Sequence, residues 1–288
     1  MLEPFGNYLV TSPLWAIAFL IFGGMFVMLY VGRLLRQRHK RQASPDGREG
    51  EEKESSQESF MVSSVMGLLA LLIGFSFSLA VDRFETRRQN VLEEANAIGT
   101  TYLRSQLLEE PHRARLSKLL ADYTDVRIAL ATSRPGPAVQ PLLTSNDRLI
   151  VDLWTATVAA FPSMKPYDFS SSYLETMNAM IDMDATRKAG RQAHVPSEVF
   201  LVLLIYLFVA AGAISYMLVG QRGRETAIFL FVLFGIVLLL VIDIDRPTTG
   251  GIAESQLPMT QLRDFIRTQP PVSFDRFNVP GTLSSPTR

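Results

Sequence analysis

The chain has 288 residues, a formal net charge of zero and no cysteine. The balanced charge excludes a strong overall field that would attract nucleic acid, and the missing cysteines exclude disulfides, thiolate catalysis and cysteine-ligated metals. The three histidines, His39, His112 and His194, lie far apart in the sequence and show no metal-ligand spacing. We therefore predict no cofactor and no metal site built on histidine or cysteine.

Four apolar blocks without a single charge occur at 14–32, 60–81, 199–220 and 226–242. A helix needs roughly 20 apolar residues to cross a bilayer, and about 17–25 are tolerated. Each block therefore predicts a transmembrane helix. We expect the first block to be a retained membrane helix and not a signal peptide, because no Lys or Arg precedes Arg33 and basic residues follow it in place of a cleavage site.

The segment 33–59 begins basic, turns acidic and contains Ser, Gly and Pro, so we predict a flexible connector. The second apolar block then continues without Pro or Gly from 75 to 98. A helix over about 61–108 would extend on the order of 70 Å, which is more than twice the bilayer core. The second membrane helix is thus predicted to leave the bilayer as one rod.

The region 82–197 shows apolar residues at steps of three, four and seven, which is typical of packed helices. Pro111 is placed at the start of one helix, and breaks are predicted at 133–141 and at 161–166. The tail contains the turn DIDRPTTGG at 243–251 and one short helical stretch, PMTQLRDFIRT. No strand pattern emerges.

Together these patterns predict an all-α integral membrane protein with four transmembrane helices and a helical extramembrane bundle. The predicted segments are a first transmembrane helix at 1–32, a connector at 33–59, a second transmembrane helix at 60–81, the bundle at 82–197, a third transmembrane helix at 198–220, a fourth at 226–242 and a mostly irregular tail at 243–288.

Charge in the short loops predicts the orientation, because Lys and Arg concentrate on the cytoplasmic side. This rule favours both termini and the bundle outside. The basic residues that flank the short connectors are Arg33, Arg36, Arg38, Lys40, Arg41, Arg222 and Arg224.

Small residues recur in the second block at Ala70, Gly74 and Ser78, so they share one helix face. Such a face either packs against another helix or lines a path for water or ions. Leu71 and Phe75 would add apolar rings if several copies surround an axis, and such rings can gate by dewetting.

Asp82 and Arg83 follow where this helix emerges. They are either an interfacial pair or the mouth of a pore.

Asp243 and Asp245, after the fourth block, form a candidate cation site. No ionisable residue lies inside any block, which argues against a proton-coupled transporter. The chain also shows no P-loop and no nucleophile with an adjacent base, so we predict that it is not an enzyme.

The stretch GFSFSLAVDRFETRR at 74–88 resembles the second-helix motif of bestrophins, in which an aromatic-bearing helix ends in Asp-Arg-aromatic. DRPTTGG at 245–251 is similar to the segment after the last bestrophin membrane helix. The chain is more similar still to the bacterial bestrophin-like family of membrane proteins. That similarity rests on LEEANAIGTTYLR at 92–104, MNAMID at 177–182, DIDRP at 243–247 and SQLPM at 255–259.

The resemblance implies a pentameric anion channel whose neck is lined by apolar side chains of the second helix. Residue matching places that neck at Gly67, Leu71 and Phe75, although Gly67 departs from the bulky residue expected. The calcium clasp of animal bestrophins has no counterpart beyond Asp243 and Asp245. In bestrophins the bundle is cytosolic, with both termini inside, which conflicts with the orientation that charge predicts.

The leading hypothesis is a homo-oligomeric channel in the bacterial inner membrane that passes anions along the second helix. The alternative is a non-conducting scaffold or sensor, in which the same small-residue face is a packing seam. The predicted partners are the lipid bilayer, copies of the chain and small inorganic ions, with no nucleic acid.

Overall fold

In the computed structural model, which describes residues 3–42, 51–134, 136–217 and 221–276, the chain is almost entirely helical. No strand occurs within those ranges. The helices are α1 Glu3–Thr11, α2 Leu14–Gln42, α3 Glu51–Ser105, α4 His112–Thr132, α5 Val139–Met164, α6 Phe169–Gln192, α7 Ser197–Met217, α8 Gln221–Ile244, α9 Leu257–Thr268 and a 3₁₀ helix at Pro271–Asp275. The predicted all-α class is confirmed.

Four stretches of the described chain are long and apolar enough to cross a membrane. They lie within Leu14–Arg38, Phe60–Ser105, Phe169–Met217 and Glu225–Ile244, and the third of these ranges includes both α6 and α7. The chain is an integral membrane protein with four spans, as the uncharged blocks predicted.

The predicted flexible connector 33–59 differs from the structure at both ends. Helix α2 continues to Gln42 and α3 already begins at Glu51. Residues 33–42 and 51–59 contain no Pro or Gly, and their Leu, Arg, Gln, Lys and Glu are good helix formers. A composition too polar for a core can therefore still extend a membrane helix. Residues 43–50, which hold Pro45 and Gly47, lie outside the described residues.

Prolines account for two further differences from the predicted boundaries. The first span, predicted at 1–32, is divided into α1 and α2, and Pro13 stands between them, next to the first residue of α2. Proline is tolerated at a helix start, because the first N–H groups have no partner inside the helix. Helix α5 continues through Pro162 to Met164, so the break predicted at 161–166 comes only at the end of that segment.

Two compact units divide the chain. We call Met1–Phe84 with His194–Ala253 the membrane unit, and Glu85–Ala193 with Glu254–Arg288 the bundle unit. In the membrane unit, α2 and α7 pack closely because both carry glycine where they meet. A Cβ on Gly32 would lie 2.2 Å from the backbone oxygen of Gly212. Small residues permit this close approach between membrane helices.

The bundle unit has its own apolar core, to which the last turns of α3 and the helices α4, α5, α6 and α9 contribute. Helix α9 is amphipathic and buries Met259, Leu262 and Ile266, so the predicted short helix in the tail has a packing role. The 3₁₀ helix is held by Arg113, whose two terminal nitrogens donate to the Asp275 carboxylate at 2.7 and 2.8 Å.

Candidate functional site

The five predicted pore-lining residues share one exposed face of α3 in the membrane unit. Leu71 and Phe75 are 53% and 65% exposed, and Gly67, Gly74 and Ser78 are exposed as well. Steps of three and four residues place them together on a helix. We call these five residues the lining face. The opposite side of the helix is buried through Leu69, Ile73, Ser76 and Ala80.

The glycines of the lining face are not required by packing within the chain. A Cβ built on Gly67 or Gly74 meets no heavy atom within 4 Å. This differs from Gly32, whose missing side chain admits a neighbouring helix. The space beside the lining face is therefore open in a single chain, and other molecules must cover it.

The structure separates the two residues of the predicted pore mouth. Asp82 is exposed and lies one helical turn beyond Ser78, so it extends the lining face. Arg83 is partly buried, and its Nε has no hydrogen-bond partner among the described atoms. Of this pair, only the carboxylate continues the lining face.

Asp243 and Asp245, the candidate cation site, each accept hydrogen bonds from backbone N–H groups. Oδ1 of Asp243 accepts from Gly251 at 2.8 Å. Both carboxylate oxygens of Asp245 lie near the N–H of Val195, at 3.0 and 3.1 Å, and Nδ1 of His194 lies 3.5 Å from Oδ2 of Asp245. Within the described ranges, no group of three or more His, Cys, Asp or Glu residues could hold a metal. The cation site at this pair stays a prediction.

Arg246 directly follows Asp245 and binds the end of α1, which the sequence analysis did not predict. Its side chain is among the largest fully buried ones in the chain. The guanidinium donates to the carbonyl oxygens of Val10 and Ser12, and to Oγ1 of Thr249 at 3.0 Å. The DRP sequence at 245–247 drew attention to Arg246, but it did not indicate which residues the guanidinium binds. Val10 and Ser12 lie at and just after the end of α1, a separate helix that ends at Thr11 and that the sequence analysis did not predict.

A network of buried charges crosses the bundle unit, and the sequence analysis missed it too. The Glu94 carboxylate is fully buried and accepts from Nε of Arg127 at 2.5 Å and from the guanidinium of Arg187. Arg127 also donates to Asp184 at 2.6 Å, and the amide of Asn146 donates to the same oxygen at 3.1 Å. Each of these side chains is at least nine-tenths buried. The network therefore ties α3, α4, α5 and α6 together.

The available signal for this network was periodicity. Glu94 stands three residues after Val91 and four before Ile98, both of which are buried apolar residues of the bundle core. A charge inside an apolar stripe must be paired, because an isolated buried charge is very costly. Burial lowers the pKa of Arg127, but Glu94, Tyr123 and Asp184 act in the other direction and raise it overall, so the guanidinium stays charged. Burial also raises the pKa of Tyr123.

The architecture defines a polytopic helical membrane protein in which one helix, α3, carries both the membrane face and part of the bundle core. The family model for the Bestrophin-like domain matches residues 17–259. This match covers well over half of the chain, so the chain belongs to the Bestrophin-like family. A comparison with curated proteins finds none that matches.

Several solved structures share this fold. A bacterial bestrophin homolog from Klebsiella pneumoniae with a Trp-to-Ala substitution is 15% identical with a TM-score of 0.63, over 89% of this chain and 96% of that chain. A further crystal structure of a homolog from the same organism, phased on zinc, is 15% identical with a TM-score of 0.62, over 86% of this chain and 94% of that one. At such low identity the likeness establishes the fold alone.

Proposed function

We propose that the chain assembles with copies of itself into an ion channel whose path runs along the lining face of α3. The observation that carries the proposal is the exposure of the lining face, with Leu71 and Phe75 more than half exposed in the single chain. One helix face cannot enclose a path, but several copies around an axis can. The family resemblance implies five copies, and the spans of every copy would be embedded in the inner membrane of a bacterium.

The chemistry of the lining face suits such a path. Leu71 and Phe75 would form successive apolar rings, and constrictions of this kind gate by dewetting. Gly67 and Gly74 would leave wider sections beside them, because neither has a side chain. Ser78 would supply a hydroxyl to an ion or a water molecule just before the helix leaves the apolar block.

The proposed permeant ions are small anions, as the family resemblance implies. The block 60–81 contains no charge that would oppose them. Asp82 extends the lining face with a carboxylate, and rings of acidic side chains favour cations over anions. We therefore propose that Asp82 limits anion entry and keeps selectivity modest.

The test is conductance of the purified oligomer in planar bilayers. We expect currents, and we expect Phe75→Ala to increase them because it removes the larger apolar ring. Phe77→Ala is the matched control, since Phe77 is also an exposed aromatic of α3 but points away from the lining face.

An intact, well-folded oligomer that carries no current across a range of voltage, pH and calcium would refute the channel. The chain would then be a non-conducting scaffold or sensor, and the lining face would be a packing seam between copies. In that case Gly74→Leu would disrupt assembly, with no ion flux to lose.

A further inference from the structure

An apolar groove lies between α2 and α7 in the membrane unit. Its volume is about 430 Å³, and sites for small organic ligands typically measure about 300–1,000 Å³. All of its lining residues are uncharged, and only Tyr216 carries a polar group. The others include Val31, Gly32 and Leu35 of α2 and Val209 and Gly212 of α7. The groove is therefore suited to a hydrocarbon ligand.

The floor of the groove is held in place by close contacts between the two helices. Gly32 and Gly212 meet there, because neither has a side chain to hold the backbones apart. Beside them, the hydroxyl of Ser215 donates to the carbonyl oxygen of Leu29 at 2.7 Å. Because these contacts fix α2 against α7, the groove is a preformed feature of the membrane unit and needs no ligand to open it.

The walls of the groove are open to the surroundings of the membrane unit. Leu35 and Val209 are 52% and 57% exposed, so the described part of the chain leaves them uncovered. Both helices are membrane spans, and the surroundings of a span are lipid acyl chains or another apolar helix. Water has no reason to stay in such a groove, because apolar walls offer it no hydrogen bond.

The depth of the groove in the bilayer matches one lipid leaflet. From Met28 to Leu35 the groove extends about 10 Å along α2, and one leaflet's half of the hydrocarbon core is about 15 Å thick. The uncharged block ends at residue 32, so the groove lies in the part of the leaflet next to the headgroups. An acyl chain in this groove would have its glycerol end near Leu35.

Positive charge stands at the headgroup end of the groove. Arg38 is exposed and follows Leu35 by three residues and Val31 by seven, so it continues the groove side of α2, about 5 Å beyond Leu35. Over 14–42, α2 contains five Lys and Arg residues and no Asp or Glu. A guanidinium can bind two phosphate oxygens at once, which makes a phosphate the matching headgroup.

We propose that an anionic phospholipid binds this groove, with one acyl chain between α2 and α7 and its phosphate on Arg38. Basic segments next to a membrane helix attract anionic headgroups. A zwitterionic lipid has the same phosphate, but the cation of its own headgroup offsets the attraction. Tyr216 in the groove wall suits this position, because tyrosine is enriched at the depth of the headgroups. The site involves α2 and α7 alone, so it does not depend on the proposed channel.

The test places the purified full chain in nanodiscs that contain equal amounts of phosphatidylglycerol and phosphatidylcholine with identical acyl chains. Native mass spectrometry then counts the lipids that stay bound when the disc is removed. We expect one retained lipid per chain, with phosphatidylglycerol preferred about five-fold, which is the effect of one arginine near an anionic lipid. Electron microscopy of the same sample should show acyl-chain density between α2 and α7.

Two pairs of variants separate the contribution of the charge from that of the groove. Arg38→Gln should bring the preference close to equality, whereas Arg33→Gln should keep it, because Arg33 is exposed but lies on another side of α2. Val209→Trp should remove the bound lipid by filling the groove. Val202→Trp is its matched control, because Val202 is a valine of the same helix with the same 57% exposure and does not line the groove.

Equal retention of the two phospholipids by the wild type would overturn the assignment, and so would an unchanged lipid count in Val209→Trp. Density for a second copy of the chain in the groove would overturn it as well. If Val209→Trp does not fold, the lipid preference and the density of the wild type decide the question, since neither depends on a variant.

Discussion

Replacing Glu94 by Gln tests whether the buried charge network stabilises the bundle unit. Glu94 is fully buried and binds two arginines, Arg127 and Arg187, whose side chains are only 6% and 5% exposed. Glutamine has nearly the same shape and keeps one oxygen as an acceptor, but it removes the negative charge. Arg127 would keep its ion pair with Asp184, whereas Arg187 would lose its ion pair with Glu94.

The magnitude follows from the cost of leaving buried charges unpaired. Removing one partner of a buried ion pair typically destabilises a protein by about 3–5 kcal/mol, and the retained amide oxygen places Glu94→Gln near the lower end, about 3 kcal/mol. A loss of 1 kcal/mol lowers Tm by roughly 2–4 °C for a chain of 150–250 residues. We therefore expect Tm to fall by about 6–12 °C.

The assay is thermal unfolding of the detergent-solubilised protein, followed by the loss of helical circular dichroism. Glu93→Gln is the matched control, because Glu93 is the exposed neighbour of Glu94 and only accepts a hydrogen bond from the exposed side chain of Gln89, at 3.1 Å. An exposed substitution of this kind changes stability by less than about 0.5 kcal/mol. Equal Tm values for the two variants would refute the assignment of a stabilising role to the network.

Three further predictions concern the membrane unit and the orientation of the chain. Gly32→Ala should lower Tm, because the new Cβ would overlap the backbone of α7, and overpacking of this kind costs about 1–3 kcal/mol. Gly23→Ala is the control and should not lower Tm, because no atom lies within 4 Å of a Cβ at that position. Asp82→Asn should shift the reversal potential measured in a salt gradient toward the equilibrium potential of the anion. An unchanged reversal potential would exclude Asp82 from the pore mouth. The chain has no native cysteine, so single introduced cysteines can report its orientation. If the bundle unit is outside, as short-loop charge predicts, Gln140→Cys should react with an impermeant maleimide on intact spheroplasts and Ser44→Cys should not. The reverse pattern would support the orientation that the family resemblance implies.

The sequence by itself determined the class of the protein and its spans. Charge-free runs of about 20 residues have few alternatives to a membrane helix, because the bilayer leaves no other way to satisfy the backbone. The absence of Pro and Gly from 75 to 98 likewise predicted that α3 leaves the apolar block without a break, and α3 is continuous from Glu51 to Ser105. The spacing within that block also placed the small residues Ala70, Gly74 and Ser78 on one face, and the family resemblance added Gly67, Leu71 and Phe75 as neck residues.

Tertiary structure alone decided which side of each helix is buried and which charges meet. Periodicity assigns residues to a face, but it does not state what covers that face, so the exposure of Leu71 and Phe75 needed the packed chain. Arg127 binds Glu94 across 33 residues of sequence, and Arg246 reaches Val10 across 236. Pairings at such distances depend on how helices pack, and local sequence carries no record of them.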